Sequence, residues 1–263
     1  MPLLSISGFK VKKYSYKGWI LFRLYVILRK GVPKIIRPQI EYLLYRRGNE
    51  EKGVWVSLGS TCFSALVLGE ICYRKFSGPF DWFKGWSLKG RLNCLINNDC
   101  LKILNKDDLK FKEENEREGT VVAYNERYNI VFPHDFKKDG DDAYQVAFDR
   151  YERRFGRLLK VMANAKVVNF LYVRRAFDLV EDLNEIINLL VNIREMYNIE
   201  NVSILIMEPA EKTRDYFEII DVSGVRVVLQ EYNKSFIKDD DWRGMKLEEL
   251  TKKFISSYNK QFI

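Results

Sequence analysis

One cysteine in this chain stands where it could act as a nucleophile. Cys62 follows "VSLGST", a strand-like run that turns at glycine, and precedes the helix-like run "FSALVLGEICYRK". A thiol at the first turn of a helix meets backbone N–H groups and the positive end of the helix dipole, which favour the thiolate. The same N–H groups can hold an oxyanion during acyl transfer. The alternative is a buried structural cysteine, a common environment for this residue.

A base for that thiol is available in His134, the only histidine of the 263 residues. It ends the strand-like run "IVFPHDF" and is followed by Asp135. Histidine is the usual general base near neutral pH, although a histidine in a surface loop is the alternative. A cysteine at a helix start followed later in the chain by a histidine on a strand is the minimal plan of a papain-like thiol hydrolase.

Several other chemistries lack their sequence signals. The chain contains no G-x-S-x-G elbow, no G-x-G-x-x-G and no Walker loop. Its four cysteines form no C-x-x-C pair, and a single histidine cannot complete a zinc site. We therefore expect no cofactor and no metal. We also expect no disulfide, and hence a reducing, cytosolic compartment. The cysteines are Cys62, Cys72, Cys94 and Cys100.

Charged residues that follow apolar strands support an alternative function. Arg174 and Arg175 follow "FLYV", Glu208 follows "SILIM", and Glu231 follows "VVLQ". Carboxyl ends of parallel strands face a common crevice, where a phosphorylated or sugar-nucleotide ligand could bind. The protein would then be a glycan-related transferase or accessory protein in which Cys62 is only structural. Ordinary capping of loops explains the same charges.

The elements that would position these residues alternate along the chain. Strand "GVWVSLG", the Cys62 helix, loop "GPFDWF" and a short helix capped by Ser87 come first. A meander of short strands covers Leu109 to Phe136, and Asp141 opens a long helix. Strand "KVVNFLYV", a helix, strands "VSILIME" and "VRVVLQEY" and a terminal helix near Leu247 follow. This alternation predicts an α/β fold with a mostly parallel sheet flanked by helices and a strand meander inserted.

Positive charge is concentrated in an N-terminal arm. Residues 1–52 contain 12 Lys and Arg against three Glu, a net charge of +9, which leaves −1 of the total +8 for residues 53–263. An electrostatically ordinary body disfavours nucleic-acid binding. The sequence thus predicts two parts: a basic amphipathic helical arm over 1–52 and an α/β thiol-hydrolase domain over 53–263.

The arm has two interpretations. Its apolar residues, interleaved with Lys and Arg, could attach it to an anionic membrane surface, which would make the protein a membrane-associated interaction module. The alternative is a helix pair packed on the body. The run from Trp19 to Leu28 is too short to span a bilayer, and no signal-peptide cleavage site follows it. We therefore expect a cytoplasmic protein, peripheral at the membrane if the arm binds lipid.

The motifs "SLGSTC", "PFDW", "FPHDF" and "YERRFGRLL" together resemble a bacterial and viral family described as "putative papain-like cysteine peptidases". The family pattern is S-L-G-x-x-C, then P-F-D-W, then an H-D pair and an arginine-rich helix. The resemblance covers roughly Val54 to Arg175.

This resemblance implies a role for each matching residue. Cys62 would be the nucleophile and His134 the base, acting on a peptide, amide or ester substrate. Papain-like enzymes use a third side chain to orient the histidine ring. Asp81 in "PFDW" and Asp135 are the candidates for it here, with Asn169 on the next predicted strand as a further one.

Overall fold

The structure, a computed structural model, describes residues 53–70, 73–115, 119–137, 142–213, 217–237 and 246–261. The basic arm predicted over residues 1–52 lies outside the described residues, as does Cys72. Within the described ranges, no helix is long and apolar enough to cross a membrane.

The described part of the chain contains nine strands and five α-helices. In chain order the strands are β1 (Val54–Ser57), β2 (Lys84–Gly85), β3 (Leu109–Asn115), β4 (Thr120–Asn125), β5 (Ile130–Lys137), β6 (Val167–Val173), β7 (Asn201–Ala210), β8 (Phe217–Val222) and β9 (Val225–Asn233). The helices are α1 (Phe63–Glu70), α2 (Leu88–Asn97), α3 (Ala143–Asn164), α4 (Leu183–Met196) and α5 (Leu247–Gln261).

The larger sheet has five strands in the order β1-β6-β7-β9-β8. All neighbouring pairs are parallel except β8 with β9. Strand β6, "VVNFLYV", is buried at every position but its first. Parallel strands covered on both faces are continuously apolar, which is why the sequence pattern identified them. The predicted α/β class with a mostly parallel sheet is confirmed.

Helices cover both faces of this sheet. Successive side chains along a strand point to opposite faces. Val56 and Phe170 pack in one core cluster with residues of α2, α3 and α4. Trp55 and Leu171, their neighbours in sequence, pack in a second cluster with residues of α1 and α5. The sheet is therefore the middle layer between two helical layers.

The predicted meander forms a smaller antiparallel sheet with the order β2-β5-β4-β3. Its apolar face joins the first core cluster through Phe132 and Phe136 of β5. The ring of Phe132 packs edge-on against Tyr151 of α3, with centroids 5.7 Å apart. Helix α3 thereby fixes the strand that carries His134.

Two features of the fold differ from the expectations. Cys94 and Cys100 form a disulfide, with their Cα atoms 4.7 Å apart. Asn98, the residue that follows helix α2, has a left-handed backbone (φ 53°) that turns the chain so that the two cysteines meet. The expectation of no disulfide is wrong, because the helical pattern around Cys94 did not reveal this turn. The inference of a reducing compartment loses its support with it.

The second difference is β8, an edge strand that the sequence analysis did not predict. It pairs antiparallel with β9 through a two-residue turn at Ser223 and Gly224, with φ of 50° and 74°. Positive φ at both central residues is the geometry that suits a tight hairpin. The Ser-Gly pair flanked by apolar residues was the available signal.

Candidate active site

Cys62 occupies the N-cap position of α1, at the carboxyl end of β1. Its carbonyl oxygen accepts the first helical hydrogen bond, from Leu66 N at 2.9 Å. The Thr61 side chain accepts from Phe63 N at 3.3 Å. Gly59 allows the turn, because a Cβ there would lie 2.3 Å from the Thr61 carbonyl oxygen. The predicted strand-to-helix location of the thiol is therefore correct.

The Cys62 side chain is half-buried and lies against the second core cluster. Among the three cysteines that the structure describes, Cys62 is the one outside the disulfide. The first turn of α1 directs amide N–H groups that have no intrahelical acceptor toward this position. A negative charge at this position would therefore be stabilised by the helix dipole and by these N–H groups.

His134 lies on β5 of the smaller sheet with its side chain exposed. The following residue, Asp135, is buried, as expected for neighbours that point to opposite faces of a strand. The approach of the His134 ring to the Cys62 sulfur stays a prediction.

The carboxylate of Asp135 is bonded to helix α3. Tyr151 donates its hydroxyl to Oδ2 at 2.9 Å, and Arg150 Nη1 donates to Oδ1 at 3.2 Å. Arg154 Nη1 lies 3.7 Å from the same Oδ1. Burial and the adjacent carboxylate raise the pKa of Tyr151 well above its usual value, so the phenol stays a donor. Asp135 therefore anchors the His134 strand to α3, and its role in orienting the His134 ring stays a prediction.

Asp81, in the "PFDW" loop, is also buried and charge-paired. Arg74 donates to its Oδ2 through Nη2 at 2.6 Å and Nε at 3.0 Å, and Gly78 N donates at 2.7 Å. Burial raises the pKa of Asp81, opposed by these donors and by the charge of Arg154. The charge of Arg154 therefore favours the ionised form of Asp81, while its ion pair is with Asp135.

The charged residues of the predicted crevice lie at the carboxyl edge of the larger sheet. Arg174 Nε pairs with Glu208 Oε1 at 3.2 Å, and Arg175 Nη2 pairs with Asp178 Oδ1 at 2.6 Å. Both guanidinium groups are therefore already engaged by carboxylates, which weakens the case for an anionic ligand held there.

Asn169 lies away from this edge. It is the third residue of β6, pairs with Trp55 in the register of β1, and its Oδ1 accepts a hydrogen bond from the Ser203 hydroxyl.

Arg91 is a structural support of the site that sequence reasoning missed. This fully buried side chain of α2 donates to the Leu58 carbonyl at 2.6 Å, to the Trp86 carbonyl at 3.1 Å and to the Gly85 carbonyl. Burial lowers the pKa of its guanidinium to about 10. This value is still well above 7, so the group stays charged at neutral pH. Its place in the apolar stripe with Leu92, where a charge is unusual, was the signal available.

Asp178 is a second support that the sequence did not indicate. The Ser60 hydroxyl donates to the Val173 carbonyl at 3.0 Å, and it also contributes to lowering the pKa of the Asp178 carboxylate. Asp178 also accepts from Arg175 N at 2.8 Å and from Arg175 Nε at 2.9 Å. The Ser60 bond ties the end of β6 to the turn that carries Cys62, and the Arg175 bonds hold the loop that follows β6.

We expect Asp178→Asn to lower the free energy of unfolding by about 1.5–3 kcal/mol at pH 7, because it weakens bonds to a charged group. Burial raises the pKa of Asp178, but the Arg175 bonds outweigh it and hold the pKa below the usual 3.8. The stabilisation is complete above pH 3.8 and is lost as the pH falls through the lower folded-state pKa. Urea titrations of both proteins at pH 7 and pH 3 should show a smaller difference at pH 3. A difference that grows on acidification would contradict the assignment.

Comparison with known proteins shows to which family the chain belongs. A family model described as "Putative papain-like cysteine peptidase" matches residues 53–208, more than half of the chain. The chain belongs to this family. The matched range contains Cys62, Asp81, His134 and Asp135.

The chain is similar to an uncharacterized protein of Acanthamoeba polyphaga mimivirus, with 24% identity over 189 residues. The similarity covers 64% of this chain and 83% of the viral protein. No solved structure matches. Within the described ranges, no group of three or more His, Cys, Asp or Glu residues is placed to hold a metal ion.

Proposed function

We propose that residues 53–263 form a cysteine-dependent acyl-transfer enzyme that hydrolyses an amide, thioester or ester, or transfers its acyl group to an amine. The observation that carries this proposal is the Cys62 thiol at the N-cap of α1, at the carboxyl edge of a parallel sheet. Ligands of open α/β sheets bind at this edge. Membership of a family described as peptidases supports the same chemistry.

In the proposed reaction the Cys62 sulfur attacks the substrate carbonyl carbon, and His134 accepts the thiol proton. The carbonyl oxygen becomes an oxyanion, which the N–H groups of the first turn of α1 stabilise. Collapse of this intermediate breaks the bond to the leaving amine, alcohol or thiol, which takes the proton from His134. Water, or an acceptor amine, then attacks the thioester, with His134 again as base, and Cys62 is released.

The experiment that tests the proposal is alkylation of the native protein by iodoacetamide across a range of pH, read by mass spectrometry of peptides. We expect Cys62 to react at mildly acidic pH, because the helix dipole and a nearby base favour its thiolate. His134→Ala should shift the labelling to higher pH. Cys94 and Cys100 should stay unlabelled without reductant because of their disulfide.

Lys137→Ala is the matched control, since Lys137 is an exposed residue of the same strand. It should leave the pH profile of Cys62 labelling unchanged. If Cys62 resists alkylation in the native protein, it is a core residue and the proposed function fails. If it reacts with the same pH profile in His134→Ala, the base is another group.

A further inference from the structure

Strand β8 forms an outer edge of the larger sheet. It pairs with β9 on one side, and no strand in the described part of the chain pairs with its other side. Two of its apolar side chains, Ile219 and Val222, are 46% and 43% exposed. An edge strand with exposed apolar residues is a template to which another strand can add.

The turn between β8 and β9 determines which backbone groups of β8 are available. Val222 and Val225 flank this two-residue turn, and residues in that position exchange both backbone hydrogen bonds. Hydrogen-bonded and non-hydrogen-bonded pairs alternate along an antiparallel ladder. Ile220 therefore bonds to β9, whereas the N–H and C=O groups of Ile219 and Asp221 point away from β9, toward the open edge.

Strand β8 lacks the features that usually protect an edge strand, namely lysine, proline and a β-bulge. Its register with β9 is continuous over six residue pairs, and its sequence "FEIIDV" contains neither lysine nor proline. The edge strand β3 of the smaller sheet differs from it. The register of β3 with β4 shifts between Phe111 and Glu113, and its sequence contains Lys110 and Lys112. Of these two edges, β8 is thus the one open to strand addition.

The sequence of β8 fits a second copy of itself. When two identical strands pair antiparallel about a two-fold axis, the residue at the centre lies opposite its own copy. Ile219 is the residue near the middle of β8 whose backbone groups point outward, so it is the natural centre. Glu218 then lies opposite Ile220, and Asp221 lies opposite Phe217. No like charges are opposed, and the two Ile219 side chains form a favourable apolar pair.

Other registers fit less well. A centre at Asp221 would place the two Asp221 carboxylates opposite each other, which is destabilising. A centre at Glu218 or Ile220 would need backbone groups that already bond to β9. A centre at Phe217, the first residue of the strand, would leave most of β8 unpaired. The Asp221 carboxylate is in addition bonded within its own chain to Arg226, whose Nε donates to Oδ1 at 2.7 Å.

We infer that β8 is a homodimerisation surface, on which β8 of a second copy pairs antiparallel about Ile219 to form one continuous sheet. About six backbone hydrogen bonds would link the two copies. One strand pair buries less surface than an obligate dimer interface, so we expect an equilibrium between monomer and dimer that depends on concentration. The inference goes beyond the proposed function and does not depend on it.

This pairing would leave both candidate active sites open. The two-fold axis reverses the direction of every strand in the second copy, so the carboxyl edges of the two larger sheets face opposite directions. The two thiols would therefore react independently, and the rate of Cys62 alkylation should not depend on dimer formation. Failure of the dimer and failure of the thiol chemistry are thus separate results.

Sedimentation velocity of the full-length protein over a range of concentrations tests the inference. We expect a dimer whose fraction rises with concentration. Ile219→Pro should raise the dissociation constant of this dimer at least about tenfold, because two central hydrogen bonds, each worth about fivefold, lose their donor. Proline is compatible with the fold at this position, since the N–H group of Ile219 faces away from β9.

Ile219→Lys should weaken the dimer as well, because it places two like charges opposite each other. The matched control is Val146→Lys on helix α3, where the side chain is also 46% exposed. It should keep the wild-type dissociation constant. A wild-type protein that stays monomeric up to its solubility limit, or a dimer that neither Ile219 variant weakens, would overturn the inference. Slow exchange of the Ile219 amide in such a monomer would show that the edge is covered within the chain.

A cysteine at the centre tests the register. The Cα atoms of a hydrogen-bonded antiparallel pair are ~5.5 Å apart, which is within the range of a disulfide. Oxidation of Ile219→Cys by copper phenanthroline should therefore give a covalent dimer on a non-reducing gel, beyond the background of the wild-type cysteines. Val222→Cys is the control, because the two-fold axis would place its two copies about 20 Å apart. Cross-linking of Val222→Cys without cross-linking of Ile219→Cys would overturn the pairing about Ile219.

Discussion

Replacing Arg91 with alanine is expected to lower the free energy of unfolding by about 3–5 kcal/mol, because each buried carbonyl that loses its donor costs ~1–3 kcal/mol. The guanidinium donates to three backbone carbonyls, and its bonds to the Leu58 and Trp86 carbonyls are buried. One of them, on Leu58, belongs to the residue between β1 and the Cys62 turn. The contact of the Arg91 guanidinium with the face of the Phe83 ring, whose centroid lies 4.9 Å from Cζ, would be lost as well. Urea unfolding followed by tryptophan fluorescence measures the change.

The control for this prediction is Arg127→Ala. Arg127 is an arginine of the β4–β5 turn whose side chain is 66% exposed and lies 3.7 Å from Asp108. Exposed ion pairs contribute at most about 1 kcal/mol, so the control should stay close to the wild-type protein. Arg91→Lys should fall between the two, since one ammonium cannot reach three carbonyls. A loss for Arg91→Ala no greater than that for Arg127→Ala would show that the carbonyls find other donors.

Replacing Asp135 with alanine is expected to have a similarly large effect, about 3–5 kcal/mol. The change removes the acceptor of the Tyr151 hydroxyl and leaves the half-buried guanidinium groups of Arg150 and Arg154 without this partner. Because Asp135 precedes Phe136 and follows His134, we also expect the end of β5 to exchange amide hydrogens faster. Urea unfolding and hydrogen exchange measure the two effects.

Asp149→Ala is the matched control, an exposed carboxylate on the same helix α3 whose partner is Gln145 at 2.6 Å. It should cost no more than about 0.5 kcal/mol. Asp135→Asn should be intermediate, because an amide oxygen can still accept from Tyr151 but carries no charge for the arginines. Equal stability of Asp135→Ala and Asp149→Ala would contradict the anchoring role of Asp135.

The parts of the fold that the sequence predicted are those that depend on local pattern. The residues that determine the apolar strand β6, and those that determine the change from strand to helix at Cys62, each lie within a segment of about ten residues. The Ser87 cap is confirmed, since its hydroxyl accepts from Gly90 N at 2.9 Å. The same helix start is also capped by Glu181, which accepts from Leu88 N and Lys89 N at 2.6 Å. Nothing near Ser87 in the sequence could indicate that second cap.

The supports of the candidate site were not predictable for the same reason. Arg91 meets Leu58 across 33 residues, and Ser60 meets Val173 across 113. A pattern of residue types indicates which face of an element is buried, but not which polar group lies opposite it. The motifs "PFDW" and "HD" identified Asp81 and Asp135 as candidates. Only the folded chain shows that Arg74, which follows α1, binds Asp81. The same is true of Arg150 and Arg154 of α3, which bind Asp135.

The pairing of β1 with β6 also sets when the site can form during synthesis of the chain. The turn that carries Cys62 is bonded to Val173, 113 residues further on. At a ribosomal rate of ~5–20 residues per second, the Cys62 segment waits on the order of 5–20 s for its partner strand. During that time the segment lacks the strand β6 that pairs with β1 and bonds to Ser60. The turn that carries Cys62 can therefore take its folded geometry only after most of the domain has been made.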